Sequence, residues 1–175
     1  MSANLEVVEK VVSLTESNSI DELALYITEN LPVIDLELKH TFVGGVYVRE
    51  MFVPKGVLMV GKVHLTADPY ALMSGSMRVL TAEGGTVTMT APHTGITAVG
   101  VKKVGYVLED SHWINYHALS NEEEEAIKNG MGEDELVSMI EARILEEMEP
   151  LPDRDGKTIF EIYQAKLKEV LPCQQ

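Results

Sequence analysis

Gly61-Lys62-Val63-His64-Leu65-Thr66-Ala67-Asp68, leading on to Met73-Ser74-Gly75-Ser76, sets polar side chains at alternate positions of an otherwise apolar stretch. On a strand, residues i and i+2 share a face, so Lys62 and His64 are expected to point the same way. If that face lines a closed sheet, the sheet encloses a polar pocket. The fold therefore turns on whether the neighbouring sequence supplies enough strands to close around it.

From about Leu36 to Leu119 the pattern is one of short β-type runs, near 46–53, 57–65, 70–73, 76–81, 86–90, 94–98, 103–108 and 112–118. Turn signals separate them: Pro54-Lys55-Gly56, Ala67-Asp68-Pro69, Ser74-Gly75, Glu83-Gly84-Gly85, Ala91-Pro92, Val99-Gly100 and Glu109-Asp110. Strands at this spacing predict a sandwich or barrel. Val57-Leu58-Met59-Val60 is apolar on both faces. One face fills the interior, and the other calls for cover by a flanking helix or a partner subunit, since large bare apolar patches are rare.

The flanks read as helical. Leu5, Val8 and Val12, with Val7, Val11 and Leu14, have helical spacing. Ser19-Ile20-Asp21-Glu22 is a capping box ahead of Leu23, Ile27 and Leu31, and Pro32 ends that helix. Beyond Leu119, Ser120-Asn121-Glu122-Glu123 is a second capping box, and Asn129-Gly130 closes its helix. Leu136, Ile140, Ile144 and Met148 form the next stripe, stopping at Pro150, and Thr158 to Val170 carries a last helix before Pro172. The expected organisation is a helical segment at 1–37, a β-barrel at 38–119 and a second helical segment at 120–175.

Composition narrows the function. A chain of 175 residues is long enough for one domain with a core of its own. Its single cysteine, Cys173, excludes a disulfide framework or a cysteine zinc site within one chain. No apolar run reaches the ~18 residues of a membrane span, and Met1-Ser2-Ala3-Asn4 does not open a secretory signal; the expectation is a cytoplasmic protein without membrane contact. A formal charge of −14 argues against nucleic acid as a partner, because phosphate neutralisation needs clustered Lys and Arg. The acid is concentrated before Lys39 and after Glu109, whereas the middle carries Arg49, Lys55, Lys62, Arg78, Lys102 and Lys103.

The spacing of Gly61, Lys62-Val63-His64, Asp68 and Gly75 resembles the first motif of the cupin superfamily, a Gly followed by His-x-His, an acid and a second Gly. Lys62 stands in place of the first His and Asp68 in place of Glu. Val99-Gly100-Val101-Lys102-Lys103 is similar to the second motif, with Lys103 or its neighbour at the His position. The resemblance implies a cupin-type antiparallel β-barrel, a double-stranded β-helix, flanked by N- and C-terminal helices. More narrowly, Thr41 to Glu50, Pro54-Lys55-Gly56, Gly100 to Tyr106 and Glu109-Asp110-Ser111-His112-Trp113 are similar to small cupin-like proteins of tailed bacteriophages, over roughly residues 38 to 118. That likeness implies host cytoplasm or virion as setting and virion proteins as partners, and carries no agreed activity.

Two readings of the pocket stand beside a bland one. Lysine at ligand positions has a charged amine with no lone pair to offer a metal, so Lys62, Lys103, Arg49 and His64 suggest a cationic pocket for a small anionic ligand, a metabolite or nucleotide. Alternatively, His64, Asp68 and His117 form a two-His, one-carboxylate set for a divalent Fe, Mn, Ni or Zn ion. The bland reading has Lys62 and Lys103 reaching the barrel mouth and His64 hydrogen-bonded inside. His112 and His117 are five apart and face opposite ways on a regular strand, whereas Trp113, Asn115 and His117 share a face. His93 falls in a turn, His40 carries no motif, and Glu109-Asp110 reads as a turn rather than an acid/base pair. No phosphate-binding loop, nucleophile elbow or His-Glu-x-x-His is present, and no catalytic residue is assigned. The expected function is a non-enzymatic module that binds or assembles as a homodimer or larger; the alternatives are a metal-dependent cupin enzyme and an anion-sequestering pocket.

Overall fold

The computed structural model describes residues 20–81 and 85–146. The helical patterns at 4–16 and 158–170, the Ser19 cap and the Met148–Pro150 helix end lie outside the described residues.

The fold is mainly antiparallel β with helices on its flanks. Strands β1 (Glu37–Val43), β2 (Val46–Val53), β3 (Leu58–Val60), β4 (Val63–His64), β5 (Asp68–Thr81), β6 (Thr86–Thr90), β7 (His93–Thr97), β8 (Lys103–Ala118) and β9 (Leu145–Glu146) are joined by α1 (Ile20–Asn30), α2 (Asn121–Lys128) and α3 (Glu133–Ile144). The order β1-β2-β8-β5-β6 forms the main sheet, with β3 also on β8 and β7 also on β5. The long pair β5–β8 belongs to two leaves. Its Tyr70–Ala71/Ile114–Asn115 end lies between β7 and β2, and its Arg78–Leu80/Val104–Tyr106 end lies between β6 and β3.

The sequence places breaks at Ser74-Gly75 and Glu109-Asp110; the structure instead runs β5 and β8 straight through both. The register slips between Leu72 and Ser74, between Ser74 and Ser76 and between Ser76 and Met77, so the two turn signals face each other as paired β-bulges. Gly75 has φ +82°, and a Cβ there would lie 2.4 Å from the Asp110 carbonyl oxygen, which only glycine avoids. Turn chemistry and bulge chemistry use the same residues, so local sequence could not separate them. β1 is a strand the pattern did not give. Its hairpin to β2 turns on Gly44 (φ +56°) and Gly45 (φ +78°), with Val43 opposite Val46, the left-handed two-residue turn that suits the strand twist.

Alternation along β5 and β8 sorts the side chains. Met77 and Val79 turn inward to join Tyr70, Leu72, Met89 and Trp113. Leu80 and Val104, cross-strand partners, turn outward and are covered by Ile20, Leu23, Ala24 and Ile27 of α1. The stripe Leu136, Ile140 and Ile144 of α3 packs on Tyr47 and Leu145; a fully buried isoleucine contributes about 1.5–3 kcal/mol. Ser120 caps α2 as its sequence predicts, accepting from the Glu123 amide while the Glu123 carboxylate accepts from the Ser120 amide. Glu123 also takes two bonds from Arg143, at 2.7 and 2.9 Å, tying α2 to α3. The end of α3 is held against β4 through the Leu65 amide on the Ile144 carbonyl, 2.8 Å, and through the β4–β9 ladder.

Candidate functional site: a cationic pocket beside a His–Asp–His cluster

A cavity of about 630 Å³ lies between the leaves. Met51 and Trp113 from one leaf and Met77 and Val79 from the other make its apolar walls, and Ile27, Leu31, Val33 and Ile34 from α1 and the following segment also line it. Arg49, Lys62, His64 and Lys103, the residues the sequence offers for anion binding, all line this one cavity, with Thr97 and Asn115. Strand alternation explains the convergence. Arg49 and Met51 are i and i+2 on β2, and their cross-strand partners on β8 are Asn115 and Trp113.

The three cations differ in how they are held. Arg49 Nη1 donates to Glu141 Oε1 at 2.9 Å, while its Nε is buried without a hydrogen-bond partner. Lys62 Nζ lies 3.7 Å from Glu141 Oε2 and is the more exposed. Lys103 Nζ donates to Thr97 Oγ1 at 2.7 Å and sits 4.3 Å above the Tyr70 ring and 5.9 Å from that of Trp113. Burial pulls the Lys103 ammonium down to about 8, with the Asp68 charge opposing. Tyr70 and Trp113 stack at 4.5 Å, and Trp113 Nε1 donates to Asn115 Oδ1 at 2.9 Å, so the indole is both packed and satisfied.

His64, Asp68 and His117 are brought together, but with the carboxylate between the imidazoles. Asp68 Oδ2 is 2.6 Å from His64 Nδ1, and Oδ1 is 2.7 Å from His117 Nδ1 and accepts from Thr66 Oγ1 at 3.0 Å. Burial by itself would raise Asp68, yet the bonds from His117 and His64 hold it well below the usual carboxylate range. An ionised carboxylate only accepts, so each Nδ1 is a donor. The Nε2 of His117 is buried with no hydrogen-bond partner. His117 also stacks on Tyr47 at 5.7 Å. The Tyr47 phenol, pushed up to about 12 by burial against the opposing Arg49 charge, bonds His40 Nδ1 at 2.8 Å.

Both oxygens of Asp68 are thus engaged by the two imidazoles, and the three groups do not fit as ligands of one ion in this arrangement. Among the described residues no three His, Cys, Asp or Glu side chains are disposed to hold a metal. The remaining candidates are structural in their contacts. His112 turns outward, 2.9 Å from Glu50 Oε2 and stacked on Phe52 at 4.3 Å. His93 is half-buried beside the Tyr70 hydroxyl. Glu109 accepts from Ser76 Oγ at 2.9 Å and Asp110 from the Lys55 amide at 2.8 Å, both at the bulge. Sequence reasoning missed Tyr70, Thr97 and Glu141. Glu141 follows Ile140 of the buried stripe, and no local signal says that α3 lies across Arg49.

No protein-family model matches the chain, and no curated protein matches it. Solved structures similar to it include cupin-family proteins. An RmlC-like cupin family protein with a double-stranded β-helix fold from Methanocaldococcus jannaschii is 10% identical, with a TM-score of 0.43 over 51% of this chain and 85% of that one. KdgF from Halomonas sp. is 12% identical, with a TM-score of 0.43 over 51% and 86%. The Schizosaccharomyces pombe Cnp3 cupin domain is 18% identical, with a TM-score of 0.40 over 59% and 80%. Among the described residues no helix is long and apolar enough to cross a membrane.

Proposed function

We propose that this protein is a binding module whose barrel pocket takes a small anion, a carboxylate or phosphate, carried on an apolar body. The observation that carries this reading is that Arg49, Lys62 and Lys103 line one largely apolar cavity. A ligand oxygen accepting from one of these charged groups would gain a hydrogen bond that contributes about 1.5–3 kcal/mol. A volume near 630 Å³ lies within the ~300–1,000 Å³ of small-molecule sites. Met51, Met77, Val79 and Trp113 provide the surface for the apolar part. Calorimetric titration with phenylglyoxylate, an aromatic carboxylate, and with acetophenone, its uncharged counterpart, tests this. Saturable binding of the acid, weak binding of the ketone and loss of the difference in Arg49→Met support it. Equal affinities for the two, or none for either, refute it.

A second reading is self-association through β1, which ends the sheet order and leaves Leu38 46% and Val43 63% exposed, after a segment in which Val33 is 89% exposed. A second copy pairing β1 with β1 would cover these side chains, of which Leu38 and Val33 also line the cavity. The tailed-phage setting, with virion proteins as further partners, goes with this reading. Light scattering behind size exclusion tests it, and a strict monomer contradicts it.

A further inference from the structure

We propose that Lys103 forms an imine with the carbonyl carbon of an oxo acid held in this pocket, so that the cavity is a covalent as well as an electrostatic site. The proposal rests on the anion-pocket reading and specifies the ligand class, a carbonyl compound carrying a carboxylate on an apolar body.

Its basis is the place of one amine. Lys103 is half-buried, its Nζ lies over the Tyr70 ring and is bonded to a single hydroxyl, Thr97 Oγ1. Among the described residues no ion pair to a carboxylate is present at that nitrogen. Lys62, by contrast, has an exposed side chain beside Glu141. An amine buried against apolar and aromatic groups is an arrangement that makes lysine a nucleophile, because burial favours the neutral form, here against the opposing charge of Asp68. The fall of the Lys103 ammonium to about 8 is in keeping with that. Arg49 and Lys62, which line the same cavity, provide a carboxylate seat, and Trp113, backed by the stacked Tyr70 ring, bounds the space over which a planar carbonyl would lie.

The step balances without any further reactant. The neutral Nζ lone pair attacks the carbonyl carbon, and the carbonyl π pair moves to oxygen, which takes a proton to give a carbinolamine. Nitrogen then gives up its second proton as the hydroxyl departs as water, leaving C=N in place of C=O. His64 lines the same cavity, with its Nδ1 bonded to Asp68.

The test treats the full-length protein with phenylglyoxylate and sodium cyanoborohydride, whose hydride reduces the imine to a stable secondary amine, and maps adducts by peptide mass spectrometry. The expected result is saturable labelling confined to Lys103, with a pH dependence half-risen near 8 rather than near the ~10.4 of an ordinary lysine. Labelling is lost in Lys103→Arg and reduced at least several-fold in Arg49→Met. Should either variant fold poorly, the wild-type adduct map and its pH profile decide alone. Adducts spread over exposed lysines in proportion to accessibility overturn the proposal. Calorimetric binding of phenylglyoxylate with no Lys103 adduct overturns the imine and leaves the anion pocket standing, whereas absence of both binding and adduct overturns the two together.

Discussion

Replacing Glu141 by Gln is expected to tighten binding of an anionic ligand, although it removes an ion pair. In the free protein Glu141 lies 2.9 Å from Arg49 and 3.7 Å from Lys62, occupying with its own carboxylate the two cations that an incoming anion would use. A bound carboxylate ~6 Å from Glu141 would be repelled by about 1.5–3 kcal/mol at an effective dielectric of ~20–40. The partial exposure of the pair screens this to about 1–2 kcal/mol, so Glu141→Gln is expected to lower Kd by about 5- to 30-fold. Trp113 is the protein's only tryptophan and lies in the cavity wall, so its fluorescence reports occupancy directly. The assay is a titration of wild type and Glu141→Gln with phenylglyoxylate at low ionic strength, repeated with acetophenone. The acid gains affinity, the ketone changes little, and the gain shrinks with added salt. Unchanged or weaker binding of the acid by a normally folded Glu141→Gln refutes the reasoning.

Three further outcomes follow from the fold. Gly75→Ala forces a side chain into a left-handed backbone and against the Asp110 carbonyl, and is expected to cost about 3 kcal/mol or more by urea unfolding; a cost below ~1 kcal/mol contradicts the bulge as described. Arg143→Met strands the buried Glu123 carboxylate and is expected to destabilise by about 3 kcal/mol, a loss that Glu123→Gln in the same chain partly restores. Asp68 has a folded pKa held below its unfolded value of ~3.9, so its contribution is fully present above about pH 4 and is lost as pH falls further. Asp68→Asn therefore melts well below wild type at pH 7, and the gap narrows on acidification below pH 4; a gap independent of pH contradicts the ionised His–Asp–His arrangement.

Much of this was legible in local sequence, and the limits have physical causes. Period-two alternation put Trp113 with Asn115 and His117 on a single face of β8, whereas the strand expected over 57–65 is broken between β3 and β4, so that Lys62 reaches the same cavity as His64 from the break and not by alternation on one strand. The Ser120–Glu123 box and the Leu136–Ile140–Ile144 stripe specified α2 and α3 because helix signals are local. The Ser74-Gly75 and Glu109-Asp110 signals misled because a bulge and a turn both ask for residues free of steric or hydrogen-bond demands, and only the partner strand distinguishes them. β1 went unread because Glu37 to Val43 mixes charge with apolar residues, as an edge strand can. Lys62 and Lys103 could be named from spacing, but that Asp68 bridges two imidazoles and that Glu141 covers Arg49 depends on contacts 49 and 92 residues apart in sequence. Such contacts follow from register, which a single strand does not reveal.

The position of a bound ligand decides between a cationic pocket and a merely packed barrel. A crystal structure of the protein with phenylglyoxylate is predicted to show the carboxylate within hydrogen-bond distance of Arg49 and the ring between the walls formed by Met77 and Trp113. A cavity without ligand density at saturating concentration, or a carboxylate turned away from Arg49, Lys62 and Lys103, would contradict it.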